Sequence, residues 1–383
     1  MRVGVSNDNY PERRTIIVDA GVEYVNYKNK NLYYYLNLLN QKVLKKRKNF
    51  LFKPVVQLQQ GKVDIFHLFN EVALTDRKWV ATFETELPRI LPPSSGNKSE
   101  NIPELKRLFP ALAAANCVAL IALSAAAFRM EQKLLRSSPE LSDAILNKMV
   151  VIHPPQKLYV QNREPRKITQ PVHFVFVGNE FYRKGGGEVV RAFDQLLSEG
   201  KIQPTQVKVT LIGDLEKRHN YALGKYQDDA QFSGATDAAI AGHSSFEHVK
   251  FMPNEQVLSL LQHADVGLLP TWAETYGFSV LEMQSCGCPV ITTNVRALPE
   301  INPQEAGWQV THELNDDWEY SVSSAQDRDQ LRQQTVKQLK ALILDIVARP
   351  EQIIIKANAA IERIRAEHDV EAYQAKLRTL YSQ

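Results

Sequence analysis

The stretch LLPTWAETYGFSVLE, residues 268–282, contains three local features of a unit made of a strand, a loop and a helix. Its first residues end a short apolar run that is typical of a buried strand. Glu274 lies in the loop, Gly277 permits a tight backbone turn, and a helix is predicted to begin near Phe278. Glu282 follows about one helical turn later. This order indicates a βα unit of a parallel sheet.

Short apolar runs alternate with helix-length segments along the chain, the pattern of parallel sheets covered by helices. The runs predict strands over residues 1–5, 15–18, 63–67, 79–83, 117–123, 149–153, 172–177, 207–212, 248–251, 265–270 and 289–293. A polar, proline-containing linker separates two series near residue 160. We therefore predict an α/β fold of two tandem Rossmann-like domains, residues 1–160 and 161–365. A C-terminal helix over 366–383 is expected to cross back to the first domain.

Composition and charge exclude several classes of protein. The 383 residues are 44% hydrophobic and 23% charged, which is typical of a globular chain and not of a disordered one. The net charge of +3 predicts no nucleic-acid partner. Residues 1–160 hold 23 Lys and Arg against 14 Asp and Glu, so this half is expected to meet an anionic partner. Only three cysteines and a polar N-terminus predict a cytoplasmic protein.

Residues 108–128 carry no charge and are long enough to span a bilayer. Pro110, Asn116 and several alanines make this stretch only weakly lipophilic. We expect instead the end of a helix, a buried strand over 117–123 and a second helix capped by Ser124.

Glu274, Gly277 and Glu282 together suit a phosphorylated sugar. A helix N-terminus attracts phosphate, because its first N–H groups lack intrahelical acceptors and the helix dipole is positive there. A carboxylate such as Glu282 offers two acceptor oxygens and can bind both hydroxyls of a ribose. Glu274 can bind hydroxyls of a second sugar ring.

The stretch FVFVGNEFYRKGGG, residues 174–187, predicts another strand and loop. Arg183 and Lys184 lie beside the expected start of the next helix, where two cations can clamp a diphosphate. The glycine spacing matches neither the dinucleotide fingerprint nor a P-loop. Gly213 follows the predicted strand 207–212 and can let the backbone approach a base or a ribose.

These motifs resemble the retaining family 4 glycosyltransferases of GT-B fold. The resemblance rests on the E-x7-E pair Glu274/Glu282 around Gly277-Phe278, the motif CGCPVI at 286–291, the loop 183–185 and the motif ADV at 264–266. It covers about residues 172–300. It implies two Rossmann-like domains that face each other across a cleft, with a nucleotide-sugar bound by the second domain.

The resemblance also implies a role for each matching residue. Glu282 would hold the ribose and Glu274 the donor sugar, while Arg183 and Lys184 would bind the diphosphate. The candidate catalytic residues are Arg183, Lys184, Glu274 and Glu84. The other expected donor-binding residues are Gly178, Gly213, Tyr276, Gly277 and Phe278. Asn179 follows Gly178 where most family members have an arginine.

The implied reaction transfers a sugar from a UDP- or GDP-sugar to a hydroxyl, with retention of configuration by front-face substitution. No cofactor and no essential metal are expected. The basic first half favours a glycan or lipid-linked acceptor, as in the biosynthesis of cell-surface polysaccharide or glycolipid. A non-catalytic nucleotide-sugar-binding or scaffold protein of the same fold is the first alternative. The second, a nicotinamide-dependent oxidoreductase, is disfavoured by the missing fingerprint.

The first half offers two candidates on the acceptor side. Glu84 follows the predicted strand 79–83, where family members commonly have a histidine, and can orient a hydroxyl or serve as a structural carboxylate. His67 ends the predicted strand 63–67 near Asn70 and Glu71. It is either a cleft residue or a strand-end histidine with satisfied hydrogen bonds.

Residues 31–50 predict an aromatic and aliphatic helix followed by the basic residues of 42–48. Three interpretations remain open: contact with an anionic membrane at its inner face or with a lipid-linked acceptor, a core helix with a cationic C-terminus, or a solvated charged face. The triplet 327–329 resembles a metal-binding D-x-D motif, but its position favours helix capping. Cys286 and Cys288 are expected to be small buried residues.

Overall fold

The computed structural model describes residues 1–42, 48–55, 63–89, 105–164 and 170–383. Its internal contacts divide the chain into two compact units. Unit 1 comprises Met1–Pro155 and His368–Gln383, and unit 2 comprises Gln156–Glu367. The division falls between Pro155 and Gln156, whereas the sequence predicted the boundary near residue 160. The last segment of the chain belongs to unit 1.

Unit 1 is built on a sheet of six parallel strands in the order β2-β1-β4-β6-β7-β8. Its strands are β1 (Arg2–Val5), β2 (Glu23–Asn26), β4 (Ile65–Phe69), β6 (Trp79–Phe83), β7 (Cys117–Ala122) and β8 (Met149–Val151), with a separate parallel pair of β3 (Leu51–Phe52) and β5 (Val72–Ala73). Its helices are Tyr10–Thr15, Leu32–Lys42, Phe109–Ala113, Ala125–Leu135, Pro139–Leu146 and Val370–Tyr381. Strands β4 and β6 are buried at every residue, as expected for a parallel sheet covered on both faces.

The C-terminal helix Val370–Tyr381 is held against unit 1 by polar contacts. The Tyr373 hydroxyl donates to the Thr15 carbonyl oxygen at 2.6 Å. The Arg378 guanidinium binds both carboxylate oxygens of Asp19. These contacts join residues that are more than 350 positions apart in the sequence. They anchor the helix Val370–Tyr381 to the N-terminal part of unit 1.

Unit 2 is a second six-stranded parallel sheet, in the order β11-β10-β9-β12-β13-β14. Its strands are β9 (Val172–Glu180), β10 (Val207–Asp214), β11 (Phe246–Val249), β12 (Val266–Leu269), β13 (Val290–Thr293) and β14 (Gly307–Val310). Its helices are Gly186–Ser198, Ala230–Gly242, Asn254–Leu261, Phe278–Ser285, Leu298–Ile301, Ala325–Ala348 and Glu351–Glu367. In order of sequence the strands read 3-2-1-4-5-6, the doubly wound order, whose switch point lies between β9 and β12.

The predicted α/β class with two Rossmann-like domains is confirmed, but several strand assignments differ. Residues 15–18 form no strand, because Thr15 ends the helix Tyr10–Thr15 and the edge position is filled by β2. Strands β2, β3, β5 and β14 were not predicted. The uncharged stretch 108–128 folds as expected, with the Ser124 hydroxyl accepting from the Ala127 N–H at 2.9 Å at the start of a helix. Within the described ranges, no helix has both the length and the hydropathy needed to cross a bilayer.

Candidate functional site

Two loops meet at the carboxyl ends of β9 and β12, which are hydrogen-bonded neighbours in the sheet of unit 2. The first loop carries Lys184 and the second carries Glu274. Their side chains form an ion pair between Lys184 Nζ and Glu274 Oε2 and are 16% and 12% exposed. The other Glu274 oxygen accepts from the Thr275 N–H at 3.1 Å. The structure therefore brings together two residues that sequence motifs had suggested separately.

Arg183 is held inside the same loop region. Its Nη1 donates to the Ala273 carbonyl oxygen at 2.6 Å, and its Nη2 pairs with the Glu180 carboxylate. The guanidinium also lies over the Tyr221 ring, 5.2 Å from its centroid. The hydrogen bond from Arg183 lowers the pKa of the Glu180 carboxyl. Arg183 thus fixes the residue before Glu274, and two of its donors are already engaged.

Backbone contacts hold the second loop against the first. The Trp272 N–H donates to the Arg183 carbonyl oxygen at 2.9 Å. The Thr271 hydroxyl donates to the Ala273 carbonyl oxygen at 2.8 Å, and the Thr293 hydroxyl donates to that of Thr271 at 2.8 Å. Because these donors and acceptors are buried, breaking one of them leaves an unsatisfied group. The position of Glu274 is therefore fixed by its scaffold.

Gly277 forms the N-cap of the helix Phe278–Ser285 with φ of 107°, a conformation that other residues rarely adopt. A Cβ at this position would lie 2.9 Å from side-chain atoms of both Leu298 and Ile301. As a glycine, Gly277 makes no side-chain capping hydrogen bond to this helix. Its N-terminus therefore has the donors and the positive dipole end that suit a phosphate.

The remaining predicted donor-binding residues on this helix are partly or fully covered. Tyr276 is buried, and its ring packs on that of Phe278 with 5.3 Å between centroids. Glu282 lies four residues after Phe278 and is half-buried. Tyr276 thus packs beneath the start of the helix. Glu282 lies about one turn into the helix, as the sequence predicted.

Close packing explains why positions 178 and 213 are occupied by glycine. A Cβ on Gly178 would lie 2.7 Å from the Lys184 Cβ, and one on Gly213 would lie 2.3 Å from the Gly178 carbonyl oxygen. Both glycines therefore permit close contact between β9, its loop and β10. The approach of a base or a ribose to either glycine stays a prediction. Asn179 is exposed beside them.

In unit 1, His67 is fully buried and both of its ring nitrogens are hydrogen-bonded. Nδ1 lies 2.6 Å from the Tyr381 hydroxyl, and Nε2 lies 2.7 Å from the Thr82 hydroxyl. Burial lowers the pKa of His67 to about 3, so its ring is neutral at physiological pH. These contacts favour the interpretation of His67 as a strand-end histidine with satisfied hydrogen bonds, and a role on the acceptor side stays a prediction.

Glu84 directly follows β6 and is held by two groups of the same unit. Its Oε1 accepts from Arg89 Nη1 at 2.9 Å and from the Asn70 side chain at 3.3 Å. The Glu84 N–H donates in turn to the Asn70 side chain at 3.1 Å. Asn70 follows β4, so Glu84 links the carboxyl ends of two neighbouring strands. A contact with an acceptor stays a prediction.

Three polar side chains near the carboxyl ends of β1 and β4 were not recognised as candidates. Ser6, Glu12 and Glu71 are at most 5% exposed, and each has an oxygen without a hydrogen-bond partner among the described residues. Burial raises the pKa of Glu71 to about 7, against the opposing effect of the Lys48 charge. The only sequence signal was that Ser6 and Glu71 follow predicted strands.

A cavity of about 510 Å³ lies elsewhere in unit 2, among the helices Gly186–Ser198, Ala230–Gly242 and Ala325–Ala348. One of the cations that line it, Arg332, donates to Glu188 at 2.8 Å and to Asp228 at 2.6 Å. This buried ion cluster ties three elements together. Its guanidinium is already paired with carboxylates, so we do not place the donor site there.

The described residues contain no cluster of three or more His, Cys, Asp or Glu that could hold a metal. The Ser324 hydroxyl accepts from the Asp327 N–H at 3.0 Å, so the 327–329 triplet begins a helix in the capping position that the sequence favoured. Cys286 and Cys288 are buried and unpaired.

Sequence comparison matches residues 171–325 to the family described as "Glycosyl transferases group 1". Among curated proteins, a D-inositol 3-phosphate glycosyltransferase of Paenarthrobacter aurescens is 28% identical over 42% of this chain and 37% of its own length. One of the same name from Corynebacterium jeikeium is 27% identical over 41% and 36%. The matches thus span just over a third of these relatives.

Comparison with solved structures extends over the whole chain. Anabaena HepE in complex with UDP aligns with a TM-score of 0.58 at 15% identity, covering 100% of this chain and 92% of the other. A glycosyltransferase from Rickettsia africae aligns with a TM-score of 0.57 at 15% identity, covering 99% and 89%. These likenesses support the GT-B fold. The family match of residues 171–325 supports a glycosyltransferase.

Proposed function

With residues 171–325 matching group 1 glycosyl transferases, we propose that this chain transfers a sugar from a nucleotide-sugar to a hydroxyl acceptor. The observation that carries the proposal is the meeting of Lys184, Glu274 and the helix that begins at Phe278 at the switch point of unit 2. Open α/β sheets bind ligands at this place. A cation and a helix N-terminus there suit the diphosphate of the donor.

Each side chain then has a distinct task. Lys184 and the N-terminus of the Phe278–Ser285 helix stabilise the negative charge that grows on the leaving diphosphate. Glu274 binds hydroxyls of the transferred sugar, and Glu282 binds the ribose. Arg183 positions the Glu274 loop through Ala273 and adds its positive charge to the site.

Donor binding requires the pair between Lys184 and Glu274 to rearrange. In the structure each of these two side chains neutralises the other in a nearly buried place. A diphosphate offers Lys184 a stronger anionic partner, and this releases the Glu274 carboxylate for sugar hydroxyls. The paired state keeps both charges satisfied until the donor arrives.

We infer a UDP-sugar as the first donor to test, because the related fold of Anabaena HepE is solved with UDP and with UDP-glucose. A GDP-sugar remains in the proposal. The acceptor is a hydroxyl of a glycan or lipid-linked molecule, and the name of the curated relatives makes D-inositol 3-phosphate a specific one to test. We also propose that the sugar keeps its anomeric configuration through front-face substitution and that the reaction needs no metal. The product would belong to polysaccharide or glycolipid biosynthesis.

A non-catalytic nucleotide-sugar-binding protein is the second candidate. It is favoured by Asn179, which stands where most family members have an arginine, and by the Glu180 carboxylate that occupies Arg183. A site in which both cations are paired can bind a donor without releasing the charge needed for transfer.

Titration of the purified chain with UDP-glucose, GDP-mannose and NAD separates these functions. Saturable binding of a nucleotide-sugar together with transfer or slow hydrolysis supports the transferase. Binding without turnover in all acceptors supports the second candidate, and binding of NAD alone contradicts both. Glu282→Ala is the site variant, and Glu313→Ala, at an exposed carboxylate of the same unit, is the matched control.

A further inference from the structure

The helix Leu32–Lys42 of unit 1 turns its apolar side chains outward. Leu32, Tyr35, Leu36 and Leu39 follow the i, i+3, i+4, i+7 spacing, which places them on one side of the helix. They are 38%, 51%, 37% and 49% exposed, respectively. Together these four side chains form the apolar face of the helix. Their exposure contradicts the interpretation of this segment as a core helix.

Among the described residues of this helix, the only buried side chain is polar. Asn37 is 9% exposed, and its side chain exchanges two hydrogen bonds with the Asn49 backbone, at 2.9 and 2.7 Å. Asn31, just before the helix, accepts from the N–H groups of Tyr33 and Lys53 at 3.1 and 3.0 Å. The helix is therefore anchored by amide side chains, and its amphipathicity is the reverse of that of an ordinary surface helix.

A reversed helix of this kind indicates a partner on its outer side. Scattered exposed leucines are normal, but a continuous apolar stripe on a fixed helix keeps hydrocarbon in contact with water. The anchoring through Asn31 and Asn37 holds the stripe in place. Packing among the described residues of unit 1 leaves it exposed.

The charges around the apolar face define the chemistry of that partner. Residues 24–63 contain nine Lys and Arg and no Asp or Glu. Lys42, Lys48 and Lys53 are exposed, while Lys45, Lys46 and Arg47 lie outside the described residues. Lys28 lies 5.8 Å from the centre of the Tyr34 ring and Lys30 5.0 Å from that of Tyr27. An apolar stripe in a segment whose charged residues are all cations suits a surface that is anionic outside and hydrophobic inside.

We propose that the apolar face docks on an anionic lipid bilayer. The leucines enter the boundary between headgroups and acyl chains, Tyr35 lies at the headgroup level, and the lysines bind lipid phosphates. The helix lies in the membrane surface and does not cross it. The proposal does not depend on the donor chemistry, since every residue it uses lies in unit 1.

The test is co-sedimentation of the full chain with phosphatidylcholine vesicles, with and without phosphatidylglycerol. Wild type should bind the anionic vesicles more tightly, and high salt should weaken that binding. Leu36→Ser combined with Leu39→Ser should lower the vesicle partition coefficient by about tenfold or more, because two leucines no longer enter the apolar region. Ile355→Ser, which removes a 67% exposed side chain in unit 2, is the matched control and should leave binding unchanged.

A charge variant keeps the proposal testable should the leucine variant fold poorly. Lys42→Gln combined with Lys53→Gln should weaken binding to anionic vesicles by about fivefold or more without changing binding to neutral ones. Equal binding of wild type to both kinds of vesicle, or full binding by the leucine variant, would overturn the proposal. So would a wild-type dimer that the leucine variant dissociates, because a second copy of the chain would then cover the apolar face.

Discussion

Replacing Lys184 with methionine separates the structural role of the pair with Glu274 from its proposed role in transfer. The Lys184 and Glu274 side chains are 16% and 12% exposed, so they lie between a surface pair and a fully buried one. Removing one partner of a buried pair costs about 3–5 kcal/mol, whereas a surface pair contributes at most about 1 kcal/mol. We expect Lys184→Met to lower the free energy of unfolding by about 2 kcal/mol, because it leaves the Glu274 carboxylate without its cation.

The effect on transfer should differ from the effect on stability. Loss of one charge that stabilises the leaving diphosphate lowers kcat/KM by about 100- to 1000-fold. Adding Glu274→Gln removes the isolated carboxylate, so the double variant should regain most of the lost stability and stay inactive. The assays are urea unfolding and hydrolysis of UDP-glucose over a range of donor concentrations that extends below KM. Near-wild-type turnover in Lys184→Met, or turnover restored together with stability in the double variant, would refute the diphosphate role.

Three further variants test other residues. Glu282→Ala should weaken UDP affinity by about tenfold to 100-fold in calorimetric titration, because a ribose diol loses charged acceptors; unchanged affinity would contradict the ribose role. Gly277→Ala should lower the free energy of unfolding by about 2 kcal/mol, since φ is 107° and Leu298 and Ile301 leave no room for a Cβ; a wild-type urea midpoint would contradict this. Glu71 has a folded pKa of about 7, above its unfolded value, so its contribution to stability is present below about pH 4.5 and is lost as the pH rises through 7. Glu71→Gln should therefore gain up to about 3 kcal/mol over wild type between pH 5 and 8 in urea unfolding, and parallel pH curves would contradict the raised pKa.

The buried strands could be predicted from the sequence because central strands of a parallel sheet are continuous apolar runs. Strand β6 is such a run, and its predicted bounds match the structure. Strand β2 could not be found in this way, since it lies at the sheet edge and none of its residues is buried. The neighbouring run 15–18 was mistaken for it because buried residues around Ile16 pack from a helix end and turn.

The candidate site could be predicted in its residues but not in its pairings. Lys184 and Glu274 are 90 positions apart, and they meet only because β9 and β12 are neighbours, which no local pattern encodes. For the same reason the interpretation of His67 had to stay open. Its hydrogen-bond partner Tyr381 lies 314 positions away, on a helix whose place in unit 1 depends on the folded chain.

The orientation of the helix Leu32–Lys42 was also beyond the reach of the sequence. Its apolar residues have the spacing of a core-facing stripe, and only the hydrogen bonds of Asn37 show which side faces inward. A pattern of hydrophobic residues reports that a face exists, but not what covers it.

The most direct test of the donor site is a crystal structure of the chain soaked with UDP. We expect the diphosphate at the N-terminus of the helix Phe278–Ser285, Lys184 turned from Glu274 toward a phosphate, and the Glu282 carboxylate hydrogen-bonded to the ribose. UDP bound at another place, or an intact pair between Lys184 and Glu274 at saturating UDP, would contradict it.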